Sequence, residues 1–404
     1  MQTAAILWHV SLLVTPGKKA LALGTVGLVR VVPVMVFSMI SGVAADALDR
    51  RRVMLITQAC ATVIAGILTL LTFRGLQAVW PIYVLSAAGS AVGTFDLPAR
   101  QALIPNLVPR EHLPNAIGLN TIMFQIAAVA GPSLAGVLIA AVGLGWVYLI
   151  NSLSFLVVIA ALLMMRDVPA VAGQHRAPIT VAAAAEGLRF VFSSPMIRST
   201  MLLDFFATFF SSATALLPIF AQDILQVGAK GYGWLYAAPS VGALAASGFM
   251  VRAADRIERR GATLLWAVSA YGLATAIFGI SRVFWLTFAC LAVTGAADTV
   301  SMVLRNIIRQ LATPDHMRGR MTGVNMIFFM GGPQLGEMEA GAVAYWFSAP
   351  VSVVSGGLGC LGATAVVAWK TPALRHYRRK DLAPESLPAE ARALASDTAA
   401  PKSV

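Results

Sequence analysis

The sequence predicts an all-α integral membrane protein built as two similar six-helix bundles, the first of them lacking a full opening helix. Three observations predict it: a composition that an aqueous fold could not hide, a series of bilayer-length apolar runs, and charged loop motifs that recur half a chain later. Hydrophobic residues make up 58% of the 404 positions and charged residues 12%, with a mean hydropathy of +0.77; soluble domains carry about 25% charge. Lipid is therefore the expected solvent, and in lipid the backbone satisfies itself by forming helices.

The chain opens on "QTAAILWHVSLLVT" followed by "PGKK". As a helix this piece rises only about 21 Å, short of the roughly 30 Å of hydrocarbon. It lacks the basic start and small-residue cleavage site of a signal peptide, and reads as the outer part of a first helix whose beginning is absent. Full spans are expected near 20–45, 53–73, 78–98, 115–141, 144–165, 199–222, 231–252, 262–280, 283–304, 320–346 and 350–369. Eleven spans and a stub divide into a first bundle over 1–165 and a second over 199–370. Residues 166–198 form a cytoplasmic linker with an amphipathic segment. Residues 371–404, basic and then rich in Pro, Ala and Ser, are expected to be a disordered cytoplasmic tail.

Charge placement orients the chain. With the loop at 46–52 in the cytoplasm and sides alternating from there, 24 Lys and Arg fall inside, Arg305 and Arg309 among them. Five fall outside (Lys18, Lys19, Arg74, Lys230, Arg282) and Arg30 stays within a span. This asymmetry is the positive-inside rule. It accounts for the formal charge of +12 without a nucleic-acid partner. Cys60, Cys290 and Cys360 lie far apart in apolar runs with no metal-ligand spacing, so neither a disulfide framework nor a metal site is expected.

The two bundles are related by an internal repeat. "AADALDRR" at 44–51 returns as "AADRIERR" at 253–260, and "GTFD" at 93–96 as "GAAD" at 295–298. "EHLPNAIGLN" at 111–120 resembles "DHMRGRMTGVN" at 315–325, and "GPSLAG" at 131–136 resembles "GPQLGE" at 332–337. All four offsets lie between 201 and 209 residues. Parallel repeats of this kind build secondary transporters, with the substrate site between the halves near the midplane. No HExxH, GxSxG or GxxxxGK[ST] occurs, so neither an enzyme nor an ATP-driven pump is indicated.

"SGVAADALDRRR" resembles the loop 2–3 signature of the major facilitator superfamily, G-x-x-x-D-[RK]-x-G-x-[RK]-[RK]. Gly42, Asp46, Arg51 and Arg52 match; Ala47 replaces a basic residue and Asp49 stands where glycine is expected. "FDLPARQALIPNLVPREHLPNAIGLN" and "GGPQLGEMEAGAVA" are similar to the enterobactin-exporter-like branch, which handles siderophores and drugs. The resemblance implies an inner gate formed by Asp46, Arg50, Arg51, Arg52 and Asp96, with a second copy in Asp255, Arg259, Arg260 and Asp298. It also implies an antiporter-like pair of bends, Gly131, Pro132 and Gly136 in the fifth helix and Gly332, Pro333 and Gly336 in the eleventh. Small residues allow close helix approach, and proline removes a backbone hydrogen bond.

Ionisable groups within spans are costly and mark function. Arg30, Glu337 and Glu339 fall at similar depth on the second and eleventh helices, which face each other in this fold, so Arg30 is expected to pair with one glutamate. Asp204 faces either the cavity or the inner surface, and Asp223, at an outer helix end, is expected to be solvated. Trp8, Phe124, Phe205, Phe206, Phe209, Phe210, Phe328 and Phe329 are candidates to line a cavity for an amphipathic substrate. The resulting expectation is an inner-membrane, proton-coupled exporter of a small amphipathic molecule, working as a monomer with no cofactor beyond the proton gradient. The alternatives are an importer, a mover of lipid-like molecules, and a non-transporting sensor or scaffold.

Overall fold

A computed structural model describes residues 1–47, 49–107, 109, 112–165, 188–253, 256–313 and 318–379. It is helical throughout, with no strand among the described residues. The first half contains α1 (Gln2–Leu13), α2 (Pro16–Ala47), α3 (Arg50–Phe73), α4 (Trp80–Leu107), α5 (Leu113–Val142) and α6 (Leu144–Met164). The second contains α7 (Pro195–Phe210), α8 (Gly228–Ala253), α9 (Arg260–Ile280), α10 (Phe284–Ala312), α11 (Arg318–Trp346) and α12 (Ala349–Lys370), then a short α13 (Pro372–His376). Among the described residues, eight segments are long and apolar enough to cross a membrane, one of them α7 with its continuation to Ile224. Helices α4, α5 and α11, of 28, 30 and 29 residues, match them in length.

Helices cover each stretch where a span is expected, with longer ends and one break. Helix α10 runs eight residues past the expected 304. The seventh span is not continuous: α7 stops at Phe210, and the chain proceeds through a 3-10 turn (Thr214–Leu216), a single α turn (Leu217–Ile219) and a π turn (Phe220–Ile224). Pro218 lies inside this irregular stretch and has no N–H to continue a regular ladder. Caps set other boundaries. Asp49, where the superfamily signature has glycine, accepts the backbone N–H groups of Arg51 and Arg52 at 2.9 and 3.4 Å and starts α3. Gly143, at φ +87°, supplies the left-handed residue between α5 and α6.

The tail expected to be disordered is ordered through Arg379. Leu374 and Tyr377 bury against the second half, the Gly261 N–H donates to the Tyr377 carbonyl at 3.1 Å, and the Arg379 N–H donates to the Glu258 carbonyl at 2.9 Å. Two buried apolar residues anchor a segment that composition alone reads as tail. Residues 166–187 of the linker and 380–404 lie outside the described residues.

Two seams join the halves: α2 against α11, and α5 against α8. Both are made by glycine. A Cβ built on Gly24 would sit 2.9 Å from the Cα of Gly341, and one on Gly136 would sit 2.6 Å from the Cα of Gly233. No side chain fits at such separations, so the backbones are in direct contact. The buried apolar residues are polarised along the molecule. At the end carrying Lys19, one cluster unites both halves, from Leu7 and Leu23 to Phe220, Tyr232 and Ala344. At the end carrying the arginine-rich loops, Val53, Met54, Ala99, Leu103 and Leu162 cluster within the first half. Leu203, Leu264 and Leu304 cluster within the second half, as do Val191, Met201 and Val324. Among the described residues no buried cluster at that end crosses between the halves.

Candidate functional site

A cavity of about 320 Å³ lies between the halves, lined by α1, α2 and α4 of the first and by Gln334 of α11 from the second. The α4 wall alternates hydroxyls with bare backbone: Ser86, Ser90 and Thr94 are separated by Gly89 and Gly93, whose missing side chains open onto empty space. Among the described residues, Arg30 is the only ionisable one of the lining. The candidate aromatic residues do not line this cavity. Trp8 packs on Tyr232 at 5.0 Å between ring centroids, and Phe205 stacks on Phe209 and meets Phe328 edge-on.

The register of the α2–α11 seam places the expected charges. Gly24 faces Gly341, and Gly27 faces Gln334 and Glu337, so Arg30 continues the line one turn further, beside the cavity. Glu337 is buried in the seam, its Oε2 without a hydrogen-bond partner. Arg30 and Glu337 therefore share a seam at neighbouring levels. Among the described residues no ion pair within 4.0 Å joins Arg30 to Glu337 or to Glu339, and Arg30 donates no hydrogen bond to the protein.

At the arginine-rich end the acids of the expected gate bond within their own halves. Asp96 accepts from Thr57 and Gln58 of α3, both at 2.8 Å, and from Arg100 one turn on at 2.9 Å. Arg51 donates to the Leu162 and Leu163 carbonyls at the end of α6, and Arg52 lies 3.5 Å from Asp49. The side chain of Asp46 and the whole of Asp255 lie outside the described residues. Arg259 precedes the first turn of α9, and Arg260 is buried there.

Asp298 does not meet Arg259 and Arg260; its partner is Arg305, at 3.5 Å. The same guanidinium lies 2.8 Å from Asp204 of α7, where the two side chains are 2% and 3% exposed. Asp204 thus faces neither cavity nor surface. Counting Arg305 and Arg309 as loop charges is corrected as well. Both are buried on α10, Arg309 donating to Asn306 at 2.6 Å and to Asn325. The longer α10 carries them inward.

The other end holds a cluster that sequence reasoning missed. Lys19, counted as an outer loop charge, is 9% exposed and lies 2.9 Å from Asp223, which is therefore paired and not merely solvated. Lys19 also donates to Gln222 at 3.1 Å, and Gln222 donates to Ser11 of α1 at 2.7 Å. These bonds tie α1 and α2 to the π turn that follows α7, so they cross between the halves. Their one sequence signal is a lysine, an acid and a glutamine at helix ends on the side where charge is scarce.

The bend motifs lie at helix contacts. Gly136 of α5 meets Gly233 of α8, and a Cβ on Gly233 would come within 2.8 Å of the Pro132 carbonyl oxygen. Gly131 faces Met1. In α11, Gly332 and Gly336 abut Thr208, Phe209 and Ser212, and Ser212 donates to the Pro333 carbonyl at 2.8 Å. The first motif therefore packs across the halves, and the second packs within its own half.

Residues 1–400 match the family model described as "Transmembrane secretion effector". The chain is 28% identical over 346 residues to the enterobactin exporter EntS of Escherichia coli (strain K12), covering 84% of this chain and 81% of that protein. Among solved structures it is similar to a POT family transporter in complex with a thioalcohol-conjugated peptide. That match has a TM-score of 0.71 and 10% identity, over 92% of this chain and 93% of the other. It is also similar to a bacterial homologue of the iron transporter ferroportin in the inward-facing state, with a TM-score of 0.65 and 17% identity, over 91% of this chain and 95% of the other.

Proposed function

The chain belongs to the transmembrane secretion effector family of the major facilitator superfamily, and on that premise we propose that this transporter is a proton-coupled exporter. Its cargo is a small amphipathic molecule, siderophore- or drug-like. It works in the cell inner membrane by alternating access, with the arginine-rich loops, the linker and the C-terminus in the cytoplasm. The observation that carries this reading is the polarised packing around the cavity. The Lys19 end is closed by a core shared between the halves and by the Lys19–Asp223 pair, while among the described residues no buried cluster crosses the arginine-rich end. A carrier that works by alternating access needs that asymmetry at one stage of its cycle. The 28% identity to an enterobactin exporter supports the direction.

Buried carboxylates are the candidates to carry the proton. Glu337 is buried in the α2–α11 seam, Glu339 is half-buried two residues on, and Asp204 is buried within the second half. The bond pattern of Asp96 and Asp298 supports an inner gate at rest in its open position, its acids held within their own halves.

The test is efflux in everted membrane vesicles, screened over siderophores and dyes. The expected outcome is accumulation that needs a proton gradient and falls in Asp46→Asn and Glu337→Gln. Accumulation indifferent to collapse of the gradient would overturn proton coupling.

A further inference from the structure

Arg30 presents five N–H donors, carries a fixed charge, and finds no hydrogen bond or ion pair with the described protein. A guanidinium inside a membrane span is held there at considerable cost unless an anion or water faces it. Glu337 across the seam feels its charge, but no ion pair within 4.0 Å joins the two among the described residues. The Glu337 side chain packs against Gly27 within the seam, and no acid among the described residues lines the cavity. Two further polar atoms on the same lining are buried and without a partner: the Ser86 hydroxyl and the Gln334 side-chain carbonyl oxygen. The cavity thus offers a cation, a hydroxyl and an acceptor, the last from the opposite half of the molecule. Gly89 and Gly93 leave the floor bare between them.

We propose that this cavity binds an organic anion that also bears a hydroxyl group, the anionic group on Arg30 and the hydroxyl donating to Gln334. A carboxylate or phenolate matches the fork of a guanidinium, and such charge-assisted bonds are about twice as strong as neutral ones. The hydroxyl supplies the donor that the Gln334 oxygen does not find within the described protein. A volume of about 320 Å³ is at the small end for ligand pockets and suits a single substituted ring, or the ring of a larger amphipathic molecule. Because Arg30 and Gln334 belong to different halves, the ligand bridges the seam that must shear during transport. This assignment deepens the export reading by naming its cargo class, but binding itself does not depend on transport.

The test uses the purified full chain in detergent, with salicylate as the probe, its neutral isostere salicylamide, and the cation benzamidine, followed by titration calorimetry. Salicylate is expected to bind saturably, with salicylamide about tenfold weaker or more, as loss of a hydrogen bond to a charged group implies, and benzamidine not binding. Arg30→Gln should abolish salicylate binding, and Arg30→Lys and Gln334→Leu should each weaken it several-fold at an unchanged unfolding temperature. No saturable salicylate binding, equal binding of salicylate and salicylamide, or unchanged affinity in Arg30→Gln would overturn the assignment. If Arg30→Gln fails to fold, the salicylate-to-salicylamide ratio and Gln334→Leu decide. Salicylate binding with no efflux of any compound in everted vesicles would overturn the transport reading and leave the anion site standing. Efflux that persists in Arg30→Gln, with no salicylate binding, would do the reverse.

Discussion

Arg305 illustrates what a single residue contributes and what it hides. Its guanidinium lies between Asp204 of α7 and Asp298 of its own helix, buried with Asp204. Two charges removed from water recover their desolvation only through each other, so removing one partner costs about 3–5 kcal/mol, whereas replacing both by apolar residues is often neutral. Asp204→Ala is therefore expected to lower the unfolding temperature sharply in detergent, and Asp204→Leu with Arg305→Met to restore most of it. A double mutant no more stable than the single would show that the loss does not come from leaving the Arg305 charge unpaired. The sequence revealed Asp204 as an intramembrane acid but not its partner. Loop counting assigns a side to each charge and no depth, and Arg305 sits seven residues, roughly 10 Å, inside the end of α10. Asp49 makes the converse point. A departure from the superfamily signature turned out to be the N-cap that begins α3.

At the scale of the elements, the helices were legible because each needs a long apolar run. The facing of α2 and α11 came from the family resemblance, and the α5–α8 seam was not read, although Gly136 of the bend motif lies in it. The break after Phe210 was not legible: the apolar run continues through it, and Pro218 is its one sequence mark. The α5–α8 seam allows a direct test. Gly136 touches the Gly233 backbone, so Gly136→Val must drive α5 from α8, and overpacking of this kind costs about 1–3 kcal/mol. That cost falls on the arrangement with the Lys19 end closed. Val26, fully buried in the shared core of that end, is a suitable reporter. In protein lacking the native cysteines, a Val26→Cys variant should react with a membrane-impermeant maleimide about tenfold faster once Gly136→Val is added. Lys19→Ala should have the same effect, and the charge swap Lys19→Asp with Asp223→Lys should reverse it. Labelling unchanged by Gly136→Val would mean that this seam does not hold the end shut.

Across the whole molecule, the repeat was the most informative feature of the sequence, because it showed that the two groups of helices are related halves. It could not say how the bundles meet, since a motif repeated in both halves need not do the same work in each. The first bend motif packs across the halves and the second within one. Nor could it find the cluster of Lys19, Asp223, Gln222 and Ser11, which has no counterpart motif and exists only because distant helix ends converge. That cluster tests alternating access as a property of the whole. If the halves rock about the cavity, the Lys19 end must part for cargo to leave, and a covalent tie there must stop transport without emptying the site. Lys19→Cys and Asp223→Cys, joined by a short thiol-specific cross-linker in protein lacking the native cysteines, supply the tie. The cross-linked protein is expected to keep its affinity for salicylate and to lose efflux in everted vesicles, and cleavage of the linker should restore efflux. The same variants before cross-linking control for loss of the ion pair itself. Efflux undiminished by the tie would mean that cargo leaves without separation of α2 from the segment after α7, and the rocking of two rigid halves would be the wrong description of this molecule.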